Sequence, residues 1–246
     1  MADRSNGTRA TAAVERARHA RARLHLLVLL SLIAGCTDVI GFLGLGGLFT
    51  NHVTGNLVLL AAHVVDGGTA PLARLLAVPV YLVAACAAAL FAYRRGAPPA
   101  ALRPMLVLHL VLMLAFLASA VAAPASPDAA ATAAAGLIGV SAMAVHNALV
   151  QLALEGAPPT AMMTGNVTRF AVELADWLHG GAPAHVAAAR RHATRTLPLI
   201  VAFALGCALG AALQAAAGRW ALALPAALAA FAVVRSGSPS GAARSP

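Results

Sequence analysis

The chain contains no lysine: its formal charge of +9 comes from 17 arginines set against eight acids. Charge of either sign is scarce, at 10% of residues, and aromatics reach only 4%. Hydrophobic residues make up 61%, and the mean hydropathy is +0.82. A water-soluble chain of 246 residues has no means of hiding that much apolar surface. The ~10-residue alternating segments of a transmembrane barrel are also missing. Three cysteines, Cys36, Cys86 and Cys207, stand inside apolar runs without paired spacing. That pattern implies neither a disulfide framework nor a zinc site; they read as small packing residues. A basic isoelectric point near 11.3 would suit nucleic acid. In the loops of a membrane chain, however, arginines more often set orientation, and no nucleic-acid partner is expected.

What the chain does have is long apolar runs. Several reach the roughly 20 residues needed to cross a hydrocarbon core of about 30 Å. The expected class is all-α, a polytopic membrane protein in contact with the lipid bilayer. Six spans are expected, at 24–48, 71–93, 104–123, 129–154, 196–217 and 218–234, the last being short. Residues 1–23 carry six arginines and read as a basic cytoplasmic tail, disordered or interfacial. The run 24–48 is too long for a signal-peptide core and is taken as an uncleaved first span. Breaks fall at Arg94-Arg95-Gly96 with Pro98-Pro99, at 124–128, and at Gly156 with Pro158-Pro159. The Ser/Gly/Pro-rich segment 235–246 reads as a disordered tail. Trp177 and Trp220 suit interfacial anchoring.

One tripeptide occurs twice, as Thr54-Gly55-Asn56 and Thr164-Gly165-Asn166, 110 residues apart. Each copy follows an apolar run holding one strongly polar residue, Asp38 or Asn147. Each also opens a short apolar stretch, 57–65 or 167–178, too short to span. Reading both stretches as re-entrant gives six spans with both termini inside. That drawing puts 15 of the 17 arginines on the cytoplasmic face. The membrane domain 24–234 then divides into repeats 24–123 and 129–234 with three spans each. An odd number of spans makes the repeats inverted, with a broken helix entering from each face. Inverted repeats of this kind are a transporter architecture. Duplication without transport is the plainer alternative.

The candidate site residues follow from that reading. Asn51 or Thr54 can cap the free N–H groups of a half-helix, and Gly55 admits close approach of a backbone or ligand. Asn56 offers a donor and an acceptor. Thr164, Gly165 and Asn166 repeat the set, so Gly55 and Gly165 are both expected to exclude side-chain bulk. The positive end of a half-helix favours an anion. Alternatively, these residues satisfy only one another where the helix breaks. Asp38 is the acid placed well inside a span, where a carboxylate costs about 2.5–3.5 kcal/mol on insertion scales. It is expected to act in function or to hydrogen-bond Asn147 or a half-helix terminus. His52 and His146 adjoin the polar positions and can relay protons near neutral pH. His109 is weaker. Gln151 lies one turn beyond Asn147 and is expected on its face. Gly41, Gly44, Gly46 and Gly47 permit close packing or a local break.

These residues carry a family resemblance. Ala34 through Asp38, Phe49 through Asn56 with Leu57-Val58-Leu59-Leu60, and Asn147-Ala148 followed by Met163 through Asn166 resemble the YoaK-like family of bacterial inner-membrane proteins. That family is catalogued as a domain of unknown function. Cys36 stands where an aromatic is expected and His146 where Gln is expected. The resemblance implies an integral membrane protein of about six spans in the bacterial inner membrane. It implies no activity. The activity expected from the residues is that of a small secondary transporter or permease, proton-linked through Asp38, for a small polar or anionic solute. The alternative is a non-transporting scaffold or accessory protein. No enzyme, cofactor or metal site is expected: a Ser/His pair at helical spacing, a metal cluster and a phosphate loop are all missing.

Overall fold

The computed structural model describes residues 2–66, 71–96, 98–124 and 130–237. Among them every regular element is helical. Helix α1 spans Ala2–Gly44, α2 Val53–Val65, α3 Leu72–Tyr93 and α4 Pro98–Ala122. After it come α5 at Ala130–Ala153, α6 at Met163–His179 and α7 at Pro183–Ala217. A 3-10 turn, Gly218–Leu222, leads into α8 at Ala223–Ser236. Of the tail expected to be disordered at 235–246, Arg235 and Ser236 belong to α8, and 238–246 lie outside the described residues, as does most of the 124–128 loop.

Five stretches are long and apolar enough to cross a membrane: Val14–Gly44, Leu72–Tyr93, Ala100–Ala122, Ala130–Ala153 and Pro183–Ser236. By that measure the expected spans at 196–217 and 218–234 fall within one 54-residue run. Gly218 interrupts it with a φ of 57° and ends α7. The 14 residues of α8 fall short of the length a free-standing span needs. Both basic segments are more helical than expected. The stretch 1–23 is helical from Ala2, and α7 begins at Pro183, well before 196. Alanine and arginine are good helix formers, and Pro183 at the first helical position starts α7 without losing a bond.

Membrane helices gain little from the hydrophobic effect among themselves; close backbone contact does the packing instead. Helices α1 and α7 meet in this way. A Cβ on Gly35 would strike the Phe203 carbonyl, one on Gly206 the Leu32 carbonyl, and one on Gly210 would lie 2.9 Å from the Cys36 oxygen. The two helices run parallel, since further along Gly44 sits against Gln214. Helix α5 runs antiparallel to α4: Thr132 donates to the Pro124 carbonyl, and deeper in the bundle His109 Nδ1 meets the Ala142 carbonyl at 3.1 Å. Helix α8 returns along α4. Arg219 at its approach donates to the carbonyls of Ala120, Ala123 and Pro124, while Gly237 lies beside Arg103. The shared core contains Leu30 and Ile33 of α1, Met105 and Met113 of α4, Leu149 of α5 and Ala229 of α8. Leu82 and Val83 of α3 and Val201 and Leu205 of α7 are exposed, as suits helices whose outer faces meet lipid.

This packing sorts the arginines. Arg23 bonds the Glu155 carbonyl, and Arg103 lies by Gly237, so the middle of α1 near Arg23, the α3–α4 turn, the end of α5 and the end of α8 share one end of the bundle. Arg74, bonded to the Gly46 carbonyl at 2.7 Å, and Arg219 occupy the other.

Candidate functional site

The site begins where α1 stops. Gly46 and Gly47 take φ values of 67° and 76°, which only glycine adopts without strain, and the helix unwinds. Residues 48–52 then run without helical hydrogen bonds inside an apolar bundle. Backbone groups left unpaired there each cost several kcal/mol unless something binds them. Asp38, about a turn and a half back on α1, does so. Its Oδ1 accepts from the Asn51 backbone N–H at 2.8 Å and the Thr50 hydroxyl at 3.3 Å. Its Oδ2 accepts from His52 Nδ1 at 2.5 Å. Asp38 is thus held by three donors from the unwound segment. Of the two structural partners expected, it is the segment at the start of α2 that Asp38 meets, not Asn147: Asn51 stands between them, its Oδ1 accepting from Asn147 Nδ2 at 3.0 Å.

Asn51 and Thr54 do not cap α2. The N-cap position is His52, and no side chain bonds the first turn; the same holds for α6, where Met162 is N-cap. The asparagines of the tripeptides serve a different purpose. Asn56 reaches back seven residues, donating to the Phe49 carbonyl at 2.8 Å and accepting from the Phe49 N–H at 2.9 Å. Asn166 reaches back seven residues likewise, donating to the Pro159 carbonyl at 2.5 Å. Each asparagine therefore pins the unwound segment to the helix that follows it.

The second break shares the layout with different chemistry. Helix α5 ends at Ala153, and Gly156 turns the chain with φ 73°. His146 Nε2 pairs with the Thr160 hydroxyl at 2.9 Å, and both residues are fully buried. The His109 ring packs edge-on against His146 with centroids 5.1 Å apart. The two breaks touch each other: Asn51 Nδ2 donates to the Ala161 carbonyl at 3.1 Å, across 110 residues, which is the spacing of the tripeptides. Asn147 completes the junction by donating to the Tyr81 hydroxyl on α3 at 2.9 Å.

A pocket of about 560 Å³ opens beside the first break. Asp38, His52, Thr54 and Gly55 line it, with Phe42, Phe49, Phe203 and Cys207. The Asp38 side chain is only 5% exposed, whereas that of His52 is 42% exposed, so the imidazole is the open member of the pair. Thr164 and Gly165 are exposed, and nothing lies within 4 Å of a Cβ added to Gly165. Both tripeptide glycines are expected to exclude bulk, but the two differ: a Cβ on Gly55 would lie in tight contact with the Phe49 ring at 3.2 Å, whereas the space around Gly165 is open. Gln151 is exposed and makes none of these hydrogen bonds.

Sequence reasoning missed several members. Thr50 and Thr160 each stand four residues before the tripeptide threonine, a shared signal that was available in the sequence. Tyr81, Phe42 and Phe203 left no such trace, because only packing brings them in. Among the described residues no group of three or more His, Cys, Asp or Glu is placed to hold a metal ion.

With this geometry in hand, comparison with known proteins places the chain. The family described as "Protein of unknown function (DUF1275)" matches residues 26–235, from within α1 to within α8, and includes both breaks. The chain belongs to this family. A curated relative, the UPF0700 transmembrane protein YoaK of Bacillus subtilis (strain 168), is 63% identical over 35 residues. That match covers 14% of this chain and 16% of the relative, so it speaks to a segment rather than to the whole protein. No solved structure matches the chain. The family and the apolar helices together make this an integral membrane protein.

Proposed function

We propose that the protein is a proton-linked permease for a small polar solute, with its site in the pocket faced by Asp38 and His52. The observation that carries this reading is a buried carboxylate in contact with a half-exposed imidazole at 2.5 Å, open to a cavity of small-molecule size. Ionisable groups inside a membrane bundle most often mark a solute or proton path. A histidine can load and unload a proton near neutral pH.

The surroundings fit. Helices α2 and α6 start side by side at the Asn51–Ala161 bond, and they lead to opposite ends of the bundle, where α3 and α7 begin. We read α1 to α4 and α5 to α8 as inverted repeats, with α2 and α6 as their re-entrant helices and α8 as a sixth crossing that returns along α4. Short helices meeting at a central site from opposite sides are how many secondary transporters are built. The arginine-rich end faces the cytoplasm of a bacterial inner membrane, with both termini there. The polar groups serve binding and proton transfer, not enzymatic chemistry.

Of the solute classes expected, an anion fits least: the pocket presents a carboxylate and no arginine. The scaffold alternative draws support from the second break, where His146 and Thr160 bond each other and both are fully buried. Reconstitution decides between the two. The full-length protein in liposomes, given a pH step, should move protons only when a transported solute is present on the opposite side. Liposomes that respond no differently from protein-free ones across a panel of small polar solutes would overturn the permease reading.

A further inference from the structure

The solute class can be taken further, resting on the reading of the Asp38 pocket as a solute site. Four rings follow one another around it. Phe42 and Phe49 stack with centroids 4.6 Å apart, the Phe49 and His52 rings meet edge-on at 5.8 Å, and those of His52 and Phe203 do so at 6.0 Å. Gly55 leaves room for the Phe49 ring in that position. Val39 and Val58 add aliphatic surface to the wall, beside Asp38, Thr54, Gly55 and Cys207.

Each alternative solute meets this wall differently. Aromatic faces are electron-rich and attract cations, more strongly when water is excluded. A carboxylate buried with hydrogen bonds but no fixed cation seeks a counter-charge. An anion would face Asp38 and ring faces together. A bare metal cation wants several oxygen ligands, and the pocket supplies one carboxylate and the Thr54 hydroxyl. Carboxylate and stacked rings together suit an organic cation.

We propose that this pocket binds a small monovalent organic cation with apolar substituents, a substituted ammonium, and that its binding expels the proton held by the Asp38–His52 pair. His52 Nδ1–H donates to Asp38 Oδ2, which leaves Nε2 as the atom that loads and unloads. With Nε2 protonated, imidazolium and carboxylate balance. When the cation enters, the Nε2–H bond breaks and its electron pair stays on nitrogen. The proton leaves to water at the pocket mouth, and the cation becomes the partner of Asp38. One positive charge enters and one leaves.

Other titratable or charged groups surround the pair. Cys207 of α7 shares the wall, and Cys36 of α1 packs against α7 nearby. Tyr81 of α3 connects through Asn147, His146 of α5 is bonded to Thr160, and Arg74 of α3 is tied to the Gly46 carbonyl. His63 lies in the last turn of α2. Of the groups in the pocket wall, His52 is the one whose ordinary titration falls between pH 5 and 8.

The test uses the full-length protein in detergent. Benzyltrimethylammonium is titrated in, with benzoate and benzyl alcohol as anionic and neutral controls bearing the same ring. Heat is followed calorimetrically, and proton release with an indicator in weak buffer. The cation should bind at least about tenfold more tightly than either control, a gap of about 1.4 kcal/mol. It should release close to one proton per cation below the titration of His52 and gain affinity as pH rises through it. Phe49→Leu should weaken binding about three- to tenfold, the range of a single cation–ring contact. Asp38→Asn should abolish binding while the melting temperature confirms a folded protein. Where that variant does not fold, His52→Gln takes its place and should bind the cation without releasing a proton. Equal or tighter binding of benzoate or benzyl alcohol, cation binding without proton release in the unmodified protein, or no binding of the cation would each overturn the proposal. Uptake into liposomes is scored separately. Binding with proton release but no uptake keeps the cation site and removes the permease. Proton-linked uptake of another solute without cation binding does the reverse.

Discussion

The two helix breaks share a layout and differ in chemistry. Both carry an asparagine that reaches back seven residues to a backbone carbonyl, and both have a threonine four residues before the tripeptide that bonds a polar side chain on the preceding helix. What repeats is what an unwound segment needs in order to exist in an apolar bundle. The rest does not repeat. The first break pairs a carboxylate with an imidazole that is 42% exposed to a pocket. The second pairs an imidazole with a hydroxyl, both fully buried. The shared features are structural, and the asymmetric ones carry the function proposed above.

That division can be broken experimentally. The largest effect should come from Asp38→Leu, which strands the Asn51 N–H, the Thr50 hydroxyl and His52 together. A loss of about 3–5 kcal/mol is expected, as for breaking a buried pair, and should register as failure to accumulate or a collapse in melting temperature. Next comes the glycine pair. Gly55→Leu should abolish ligand-induced stabilisation and cost about 1–3 kcal/mol through the Phe49 clash. Gly165→Leu, with open space around it, should leave the ligand shift and melting temperature nearly unchanged. Equal damage from both would restore a symmetric site. Smaller again, Asn56→Ala and Asn166→Ala should each lower stability by about 1–3 kcal/mol, the cost of leaving a buried backbone group unpaired. Asn56 should cost more, since it both donates to and accepts from Phe49. Gln151→Ala is the floor: exposed and unbonded in this network, it should change stability by less than about 0.5 kcal/mol.

Much of this was legible before any coordinates. Hydropathy gave the membrane class, and one acid within an apolar run singled out Asp38. Asn51 and Ala161 are separated by the same 110 residues as the tripeptides, but nothing in the sequence says that they bond. The division between the last two expected runs, at 217/218, falls where Gly218 ends α7 with a positive φ. Two things could not be read. The capping role given to Asn51 and Thr54 followed from local preference, but Asn51 is engaged by Asn147 and Ala161, a long-range contact no local rule contains. Phe203 reaches the pocket only because Gly35, Gly206 and Gly210 let α1 and α7 approach to backbone contact.

The central claim is that the first break carries proton-linked transport and the second only holds the fold. The most direct measurement compares Asp38→Asn with His146→Gln in liposomes, recording solute-dependent proton flux after a pH step and the melting temperature of each variant. The account predicts that Asp38→Asn melts close to the unmodified protein but shows no flux, while His146→Gln loses some stability and keeps its flux per folded molecule. Flux retained in Asp38→Asn, or lost in His146→Gln with the fold intact, would contradict it.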